Sequence, residues 1–312
     1  MKYLFGPVLS RRLGRSLGID LIPYKTCSFD CVYCECGKTT NKIITPHEFF
    51  PVEEIIEELD SFLKNSPEID FITFSGSGEP TLYLKIDEII KFLKENYPQY
   101  KVALLTNGSL LYREDIRKKI LDVDVCVPSL DSATERGFKL IDRPHKNLSI
   151  SDIIEGIKKT KEELKNGELW LEIFIVPGIN DTKEELEALK RAVDYIKPNR
   201  IQINSLDRPP AEDWVKPLSE KEKEEILKYL KGEILDRDII YKKYLNKNKK
   251  LIPFNTLKGL VLESIKRRPQ SIEDLAESLE VPQEAIEDVI DFLKDRNLIE
   301  KDLNGFIKYK SF

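Results

Sequence analysis

Along the chain, short apolar runs rich in β-branched residues alternate with longer stretches in which apolar positions recur every three or four residues. The first pattern belongs to buried strands and the second to amphipathic helices, so their alternation predicts βα units around a parallel sheet. Six strands are predicted: GIDLIP over 18–23, FITFSG over 71–76, KVALLTN over 101–107, VDVCVPSL over 123–130, LWLEIFIV over 169–176 and RIQINSL over 200–206. Helices fall between them. In PVEEIIEELDSFLK, Pro51 suits a helix start, and Ile55, Ile56, Leu59, Phe62 and Leu63 recur on one face. LKIDEIIKFLKEN, SDIIEGIKKTKEEL and DTKEELEALKRAVDYI carry similar stripes. No G-x-G-x-x-G follows the first strand, which favours an α/β fold of the partial (β/α)6 TIM-like barrel type over a dinucleotide-binding sheet.

After Leu206 the pattern changes. DRPPAEDWVKPLS is rich in proline and reads as a connector, and the charged helix EKEKEEILKYLK and the basic stretch YKKYLNKNKK follow it. NTLKGLVLESIKRR, SIEDLAESLE behind a Ser N-cap, and VPQEAIEDVIDFLKDRN with Pro282 in its first turn then predict three helices. LIEKDLNGFIKYKSF predicts a hairpin turning at Asn304-Gly305. Three helices and a closing hairpin resemble a small winged helix-turn-helix domain. The expected division is a barrel over 1–206, a connector with charged helices over 207–253, and a winged-helix-like domain over 254–312.

Composition narrows the partners. The 312 residues hold 50 Lys and Arg against 55 Asp and Glu, a net charge of −5, which argues against coating nucleic acid by bulk charge. The third C-terminal helix carries Glu284, Glu287, Asp288, Asp291 and Asp295 against Lys294 and Arg296. Phosphates repel that face, so DNA reading is not expected, and the unit is better suited to covering the barrel or reading a substrate such as a peptide. Lys242, Lys243, Lys247, Lys249 and Lys250 could follow a phosphate backbone, although a lysine run is more commonly a solvated surface. No apolar run approaches the roughly 20 residues of a membrane span, and the start lacks one of secretory length, so a cytoplasmic protein is expected.

CSFDCVYCECG, residues 27–37, holds four of the five cysteines, Cys27, Cys31, Cys34 and Cys36. In a reducing compartment such a cluster points to metal binding or catalysis rather than to disulfides. Structural zinc commonly takes two separated cysteine pairs, whereas three thiolates from one loop suit a [4Fe-4S] cube with one iron open. Spacing alone leaves zinc open. The fifth, Cys126 in DVDVCVPSL, reads as a core residue.

C-x3-C-x2-C with Tyr33 just before the last cysteine, placed after the first strand, resembles the signature of the radical S-adenosylmethionine (radical SAM) superfamily. The resemblance implies that Cys27, Cys31 and Cys34 hold a [4Fe-4S] cluster while the amino and carboxylate groups of S-adenosylmethionine chelate the fourth iron. Reductive cleavage of the sulfonium would then give methionine and a 5'-deoxyadenosyl radical that abstracts hydrogen from a substrate. FSGSGEPTL is similar to the family's Gly-Gly-Glu-Pro motif, with Gly76, Gly78, Glu79 and Pro80 matching and Ser77 in place of a glycine. Thr106-Asn107-Gly108, then Ser129 and Asp131, then VPGIND with Asn180, match positions where the family contacts the cofactor. Each alone reads equally as a turn or a helix cap, and it is their joint placement at C-terminal strand ends that gives them weight.

The resemblance spans about residues 15–205, and GPVLSRRLGRSLGIDLIPYKTCSFDCVYC is similar to a branch related to the wyosine synthases, which modify a guanine in transfer RNA. Those enzymes build a second cluster from upstream cysteines. Here none precedes Cys27, and Cys36 and Cys126 are too few, so a single cluster is expected, with Cys36 close to it but not ligating. The resemblance also implies an external electron donor of the ferredoxin or flavodoxin type. It points to an iron-sulfur oxidoreductase acting on transfer RNA, slightly ahead of a peptide or protein or a small metabolite. No catalytic residue outside the cofactor set is distinctive. The rival is a non-enzymatic regulator that senses zinc or an iron-sulfur cluster and binds DNA, which would leave GSGEP, TNG and SLD unexplained.

Arg11, Arg12 and Arg15 suit either an anionic substrate or bridges to barrel carboxylates, the structural role being slightly favoured. Arg143 in IDRPH is a candidate for the substrate mouth. His47 and His145 lie far apart without metal-like spacing and read as structural or peripheral.

Overall fold

The computed structural model describes residues 1–235, 252, 254–302 and 304–310. In chain order its elements begin with β1 (Leu4–Ser10), β2 (Gly14–Ile19), β3 (Thr26–Cys27), β4 (Asn41–Lys42), α1 (Val52–Leu63), β5 (Phe71–Phe74), α2 (Ile86–Asn96) and β6 (Lys101–Thr106). Then come α3 (Glu114–Lys119), β7 (Val125–Pro128), α4 (Glu135–Ile141), α5 (Ile150–Glu163), β8 (Glu168–Phe174), α6 (Lys183–Ile196), β9 (Arg200–Asn204), α7 (Glu220–Tyr229) and β10 (Glu233–Ile234). The last are α8 (Phe254–Arg267), α9 (Ile272–Leu279), α10 (Gln283–Asp295), β11 (Ile299–Lys301) and β12 (Ile307–Tyr309).

Eight of the described strands form one sheet in the order β1-β2-β5-β6-β7-β8-β9-β10. From β2 onward every neighbouring pair is parallel, and β1 alone runs antiparallel, against β2. Each new strand joins beside the previous one without the reversal of order that marks a doubly wound sheet, so the winding is that of an incomplete barrel. Two strands exceed the six predicted. β1 contains Gly6 and Pro7, which read as breakers. Its ladder shifts register between Phe5 and Val8, the irregularity that lets an edge strand carry such residues. β2 starts four residues before its predicted position and ends at Ile19, and the carboxylate of Asp20 just beyond it accepts from Ser77.

The strands alternate their faces. Leu17, Ile19, Ile72, Phe74, Val102, Leu104, Cys126, Leu171 and Ile173 face the helices and are buried with them. α1 meets that layer through Val52, Ile55, Leu59 and Leu63, and α2 through Ile86, Ile89, Ile90 and Leu93. Each such side chain contributes roughly 1.5–3 kcal/mol of transfer free energy, so these two stripes hold the helical layer on. Phe71, Ala103, Val125, Val127 and Trp170 form a separate cluster with Leu13. On those same inner faces lie Thr73, Leu105, Glu172, Phe174 and Asn204, which line a chamber inside the partial barrel.

α8 to β12 build around their own apolar core, including Leu257, Val261, Leu275, Ile286, Val289, Leu293 and Ile307. Ser271 caps α9 with a reciprocal bond to Asp274, and β11 pairs antiparallel with β12 across a turn holding Gly305 at φ +88°. The predicted elements are present, with Pro282 preceding α10 rather than within it. The acids Glu284, Glu287, Asp288, Asp291 and Asp295 are exposed on α10. This unit sits against β1: Arg267 donates to the Leu4 carbonyl at 3.2 Å, and Arg15 pairs with Glu280. The lysines at 242, 243, 247, 249 and 250 lie outside the described residues. No helix among the described residues is long and apolar enough to cross a membrane.

Candidate active site

The cysteine loop is closed by its own backbone. β3 pairs in parallel with β4, so the chain leaves at Cys27 and is brought back at Lys42. Between them Cys34 N–H donates to the Cys31 carbonyl at 3.1 Å, and Gly37 N–H to Cys34 at 3.0 Å with Gly37 at φ +82°. The loop is tied to the far wall through Asp30 and Val32, whose N–H groups donate to the Asp142 and Ile141 carbonyls at 2.9 Å. Cys27, Cys31, Cys34 and Cys36 all line one cavity of about 350 Å³. Among the described residues no three His, Cys, Asp or Glu side chains converge on a single-ion position. A donor set of thiols spread along one loop around a shared chamber fits a polynuclear cluster better than a closed zinc site.

The thiols are held unequally. Lys25 Nζ lies 3.1 Å from Cys34 Sγ. A bond from the Cys36 thiol, together with the Lys25 charge, lowers Cys34 to about 6 against the opposition of burial. Cys36 is correspondingly raised, by its bond to Cys34 and then by burial, so the proton of this pair stays on Cys36. Burial, then Glu79, pushes Cys27 up to about 12, and burial, then Asp142, raises Cys31. Asn107 Nδ2 donates toward Cys27 Sγ at 3.4 Å and to Ser28 Oγ at 2.9 Å.

Gly76, Gly78, Glu79, Pro80, Asn107, Ser129 and Tyr33 line the same cavity as the cysteines. The two glycines are required by close approach: a Cβ on Gly76 would lie 2.2 Å from Asp20 Oδ1, and one on Gly78 would lie 2.1 Å from the Thr26 carbonyl oxygen. They let the GSGEP turn press against the segment that leads into Cys27. The Glu79 carboxylate is already engaged, with Oε1 accepting from Thr81 N–H at 3.0 Å and from the Thr81 and Thr106 hydroxyls at 2.6 Å. Oε2 accepts from Asn107 N–H at 2.7 Å, which locks the second strand end to the third and leaves Oε2 an acceptor position. Tyr33 stacks on Phe174 with ring centroids 3.8 Å apart, and its hydroxyl pairs with Asp131.

Two expected residues are not brought to the cavity wall. Asp131 is buried beneath Tyr33, its other oxygen accepting from Phe174 N–H at 2.7 Å. Asn180 is fully buried: its Nδ2 donates to the Asp131 and Phe174 carbonyls at 2.6 and 2.8 Å, and its Oδ1 accepts from Val176 N–H at 2.7 Å. Both serve the backbone at a strand end. Burial raises Asp131 to about 6 and its neighbour Asp142 well above the carboxylate range, and Asp142 also faces Cys31 Sγ at 3.5 Å. Arg143 pairs with Glu212 and stands outside the cavity lining. His145 N–H supports the loop at Ser28, and His47 bridges the chain beside Tyr83.

Glu35, Arg208 and Arg268 carry no signal in the sequence, whereas Arg11 and Arg12 are among the arginines the sequence offers for an anionic substrate or barrel carboxylates. Glu35, between Cys34 and Cys36, meets Arg208 at 3.1 Å and Arg268 at 3.5 Å. Burial would raise its carboxyl, but Arg208, Arg268 and Arg11 outweigh that and hold it at about 2. Arg11 donates to Asn204 at 3.0 Å, and Arg12 pairs with Glu172. Burial, then the charge of Arg11, brings Arg12 down to about 9.

A partial parallel barrel with a four-cysteine loop after its first parallel strand opens on a chamber framed by strand ends, the position where barrel enzymes place their sites. The sequence profile of the radical SAM superfamily matches residues 21–193, and the chain belongs to that superfamily of enzymes, which use a [4Fe-4S] cluster and S-adenosylmethionine. It is 36% identical over 312 residues to a Brachyspira hyodysenteriae protein named GTPase Obg, covering 99% of this chain and 45% of that protein. It is 39% identical over 219 residues to a UPF0026 protein of Methanocaldococcus jannaschii, covering 70% of this chain and 67% of that protein. The chain thus spans less than half the length of the first of these relatives. Among solved structures it is similar to a radical SAM methyltransferase from Sphaerobacter thermophilus, with a TM-score of 0.53, 16% identity and coverage of 70% and 66% of the two chains, a likeness of fold. The rival reading as a non-enzymatic DNA-binding sensor finds no support in these relationships.

Proposed function

We propose that this chain is a radical SAM enzyme in which Cys27, Cys31 and Cys34 ligate the cluster, and Tyr33, Gly76, Gly78, Glu79, Pro80, Asn107 and Ser129 border the cofactor. The observation that carries this reading is that the three cysteines and the strand-end residues line one cavity. When bound, the cluster and S-adenosylmethionine supply reductive sulfonium cleavage and a 5'-deoxyadenosyl radical that takes hydrogen from the substrate. The chain's own residues have separable tasks. Gly76 and Gly78 admit close backbone approach, Glu79 fixes the Asn107 turn, and Asp131 and Asn180 brace the end of β8 from behind. In this reading the C-x3-C-x2-C spacing makes Cys36 the neighbour of the ligand set rather than a member of it.

In this reading residues 1–206 are the barrel, 207–253 a connector that also adds β10 to the sheet beside β9, and 254–312 a winged-helix-like unit that covers the chamber, which Ser264, Arg267, Arg268 and Gln270 help to line. Electrons come from an external donor of the ferredoxin or flavodoxin type. Transfer RNA is slightly favoured over a peptide or protein as substrate by the resemblance of the stretch from Gly6 to Cys34 to the wyosine-related branch. Anaerobic reconstitution with iron and sulfide, followed by reduction with S-adenosylmethionine present, is expected to release 5'-deoxyadenosine. A correctly loaded protein that yields none overturns the reading.

A further inference from the structure

The chamber that the cysteines line also carries five arginines, Arg11, Arg12, Arg208, Arg267 and Arg268. Arg267 is engaged by Asp20 and Glu263, and Arg208 by Glu35. Arg268 shares that single Glu35 carboxylate with Arg208. Arg12 has the most buried side chain of the five. Its side chain is 7% exposed, its Nη2 is paired with Glu172, and its Nη1 is buried with no hydrogen-bond partner among the described residues. The turn that carries it is fixed by Ser10 Oγ, which accepts from the N–H groups of Arg12 and Leu13 at 3.4 and 3.3 Å.

A buried guanidinium nitrogen without an acceptor is costly, and folded proteins seldom leave one without a reason. Arg11 and Arg268 repel Arg12, while Glu35 and Glu233 attract it without supplying an acceptor to Nη1. An oxyanion supplies that acceptor, and the guanidinium fork matches its geometry. We propose that Arg12 and Arg268 form an oxyanion subsite that anchors a phosphate or carboxylate group of the substrate inside the chamber. The subsite shares its cavity with Cys27, Cys31 and Cys34. An anchored substrate is thereby confined to the space where the radical would form, an assignment that rests on the radical SAM reading.

The test is calorimetric titration of the cluster-loaded full chain, with and without saturating S-adenosylmethionine, using inorganic pyrophosphate, succinate and neutral glycerol as probes. Saturable binding of an anion but not of glycerol is expected, and the stronger of the two anions identifies phosphate or carboxylate as the source. Arg12→Gln and Arg268→Gln should each weaken it about tenfold or more. Arg136→Gln, at a side chain 66% exposed on α4, should leave it unchanged. Should Arg12→Gln fail to fold, Arg268→Gln, 31% exposed, carries the test. No saturable anion binding, wild-type binding by both variants, or displacement of the anion by S-adenosylmethionine overturns the subsite. Release of 5'-deoxyadenosine by the wild-type protein is scored separately. Its absence with anion binding intact removes the enzyme reading alone, and its presence without anion binding removes the subsite alone.

Discussion

Arg267 on α8 places its Nε 3.6 Å from Oδ2 of Asp20 at the end of β2, and the same carboxylate oxygen accepts from the Ser77 hydroxyl at 2.9 Å. One partly buried carboxylate therefore couples the C-terminal unit to the GSGEP turn. The guanidinium also lies 4.8 Å from the centre of the Phe5 ring, so it is held from three sides. Arg267→Met leaves Asp20 with hydroxyl and amide donors only, and a loss of about 2 kcal/mol is expected in urea unfolding. In a double-mutant cycle with Asp20→Asn, the coupling should reach about 1 kcal/mol. Strict additivity of the two single changes would mean that the pair does not link the units.

The glycines of that turn make a sharper test of how the cysteine loop is placed. Gly78→Ala drives a methyl group into the Thr26 carbonyl, a backbone atom that cannot swing aside. We expect a stability loss of about 2 kcal/mol and less than about half the wild-type iron after reconstitution. Gly259 on α8 has nothing within 4 Å of a built Cβ. Gly259→Ala should retain full iron content and gain up to about 1 kcal/mol from helix propensity. Equal iron loading by both variants would show that the approach of Thr26 to Gly78 does not position the loop.

Cys34 and Cys36 divide their chemistry by who holds the proton. In the metal-free chain Cys34 sits at about 6, so above that pH it is a thiolate, while Cys36 remains a thiol. Alkylation of Cys34 by iodoacetamide should rise with a midpoint near pH 6 and already be fast at pH 7. Cys36→Ala removes the donor and Lys25→Ala removes the cation, so each moves that midpoint upward. After reconstitution, Cys36→Ala should keep the cluster's visible absorbance and Cys34→Ala should lose it. Cluster loss in Cys36→Ala would assign ligation to the wrong cysteines.

What the sequence made legible follows from range. The helix-facing apolar positions of β5 to β8 and the stripes on α1 and α2 repeat over a few residues, and they appear where their periods put them. The cysteine loop and the glycines beside Glu79 are likewise local, and they meet at one cavity. Asp131 and Asn180 were legible as polar residues at strand ends, but nothing local distinguishes a side chain that faces a ligand from one that satisfies buried backbone groups. β1 escaped notice because Gly6 and Pro7 interrupt its alternation, and β10, at two residues, has no period to detect. The pairing of Glu35 with Arg208 spans 173 residues. Only the winding of the barrel, which returns the segment after β9 to the mouth above β2, brings those charges together.

That long-range pairing yields a prediction of its own. Glu35 is the carboxylate between two arginines, one from the connector and one following α8, with its side chain 22% exposed and those of Arg208 and Arg268 at 9% and 31%. Arg208 has Asp274 at 3.6 Å as a second partner, which lessens its dependence on Glu35. Glu35→Gln preserves shape and removes the charge, leaving Arg268 facing Arg208 across a neutral amide. Because the group is partly solvated, the expected destabilisation is about 2 kcal/mol, below that of a fully buried pair. Adding Arg268→Gln removes one of the two opposed cations, so the double variant should be no less stable than Glu35→Gln alone. If the double variant instead loses the sum of both single effects in urea unfolding, the arginines do not repel one another at this site and Glu35 is not what reconciles them.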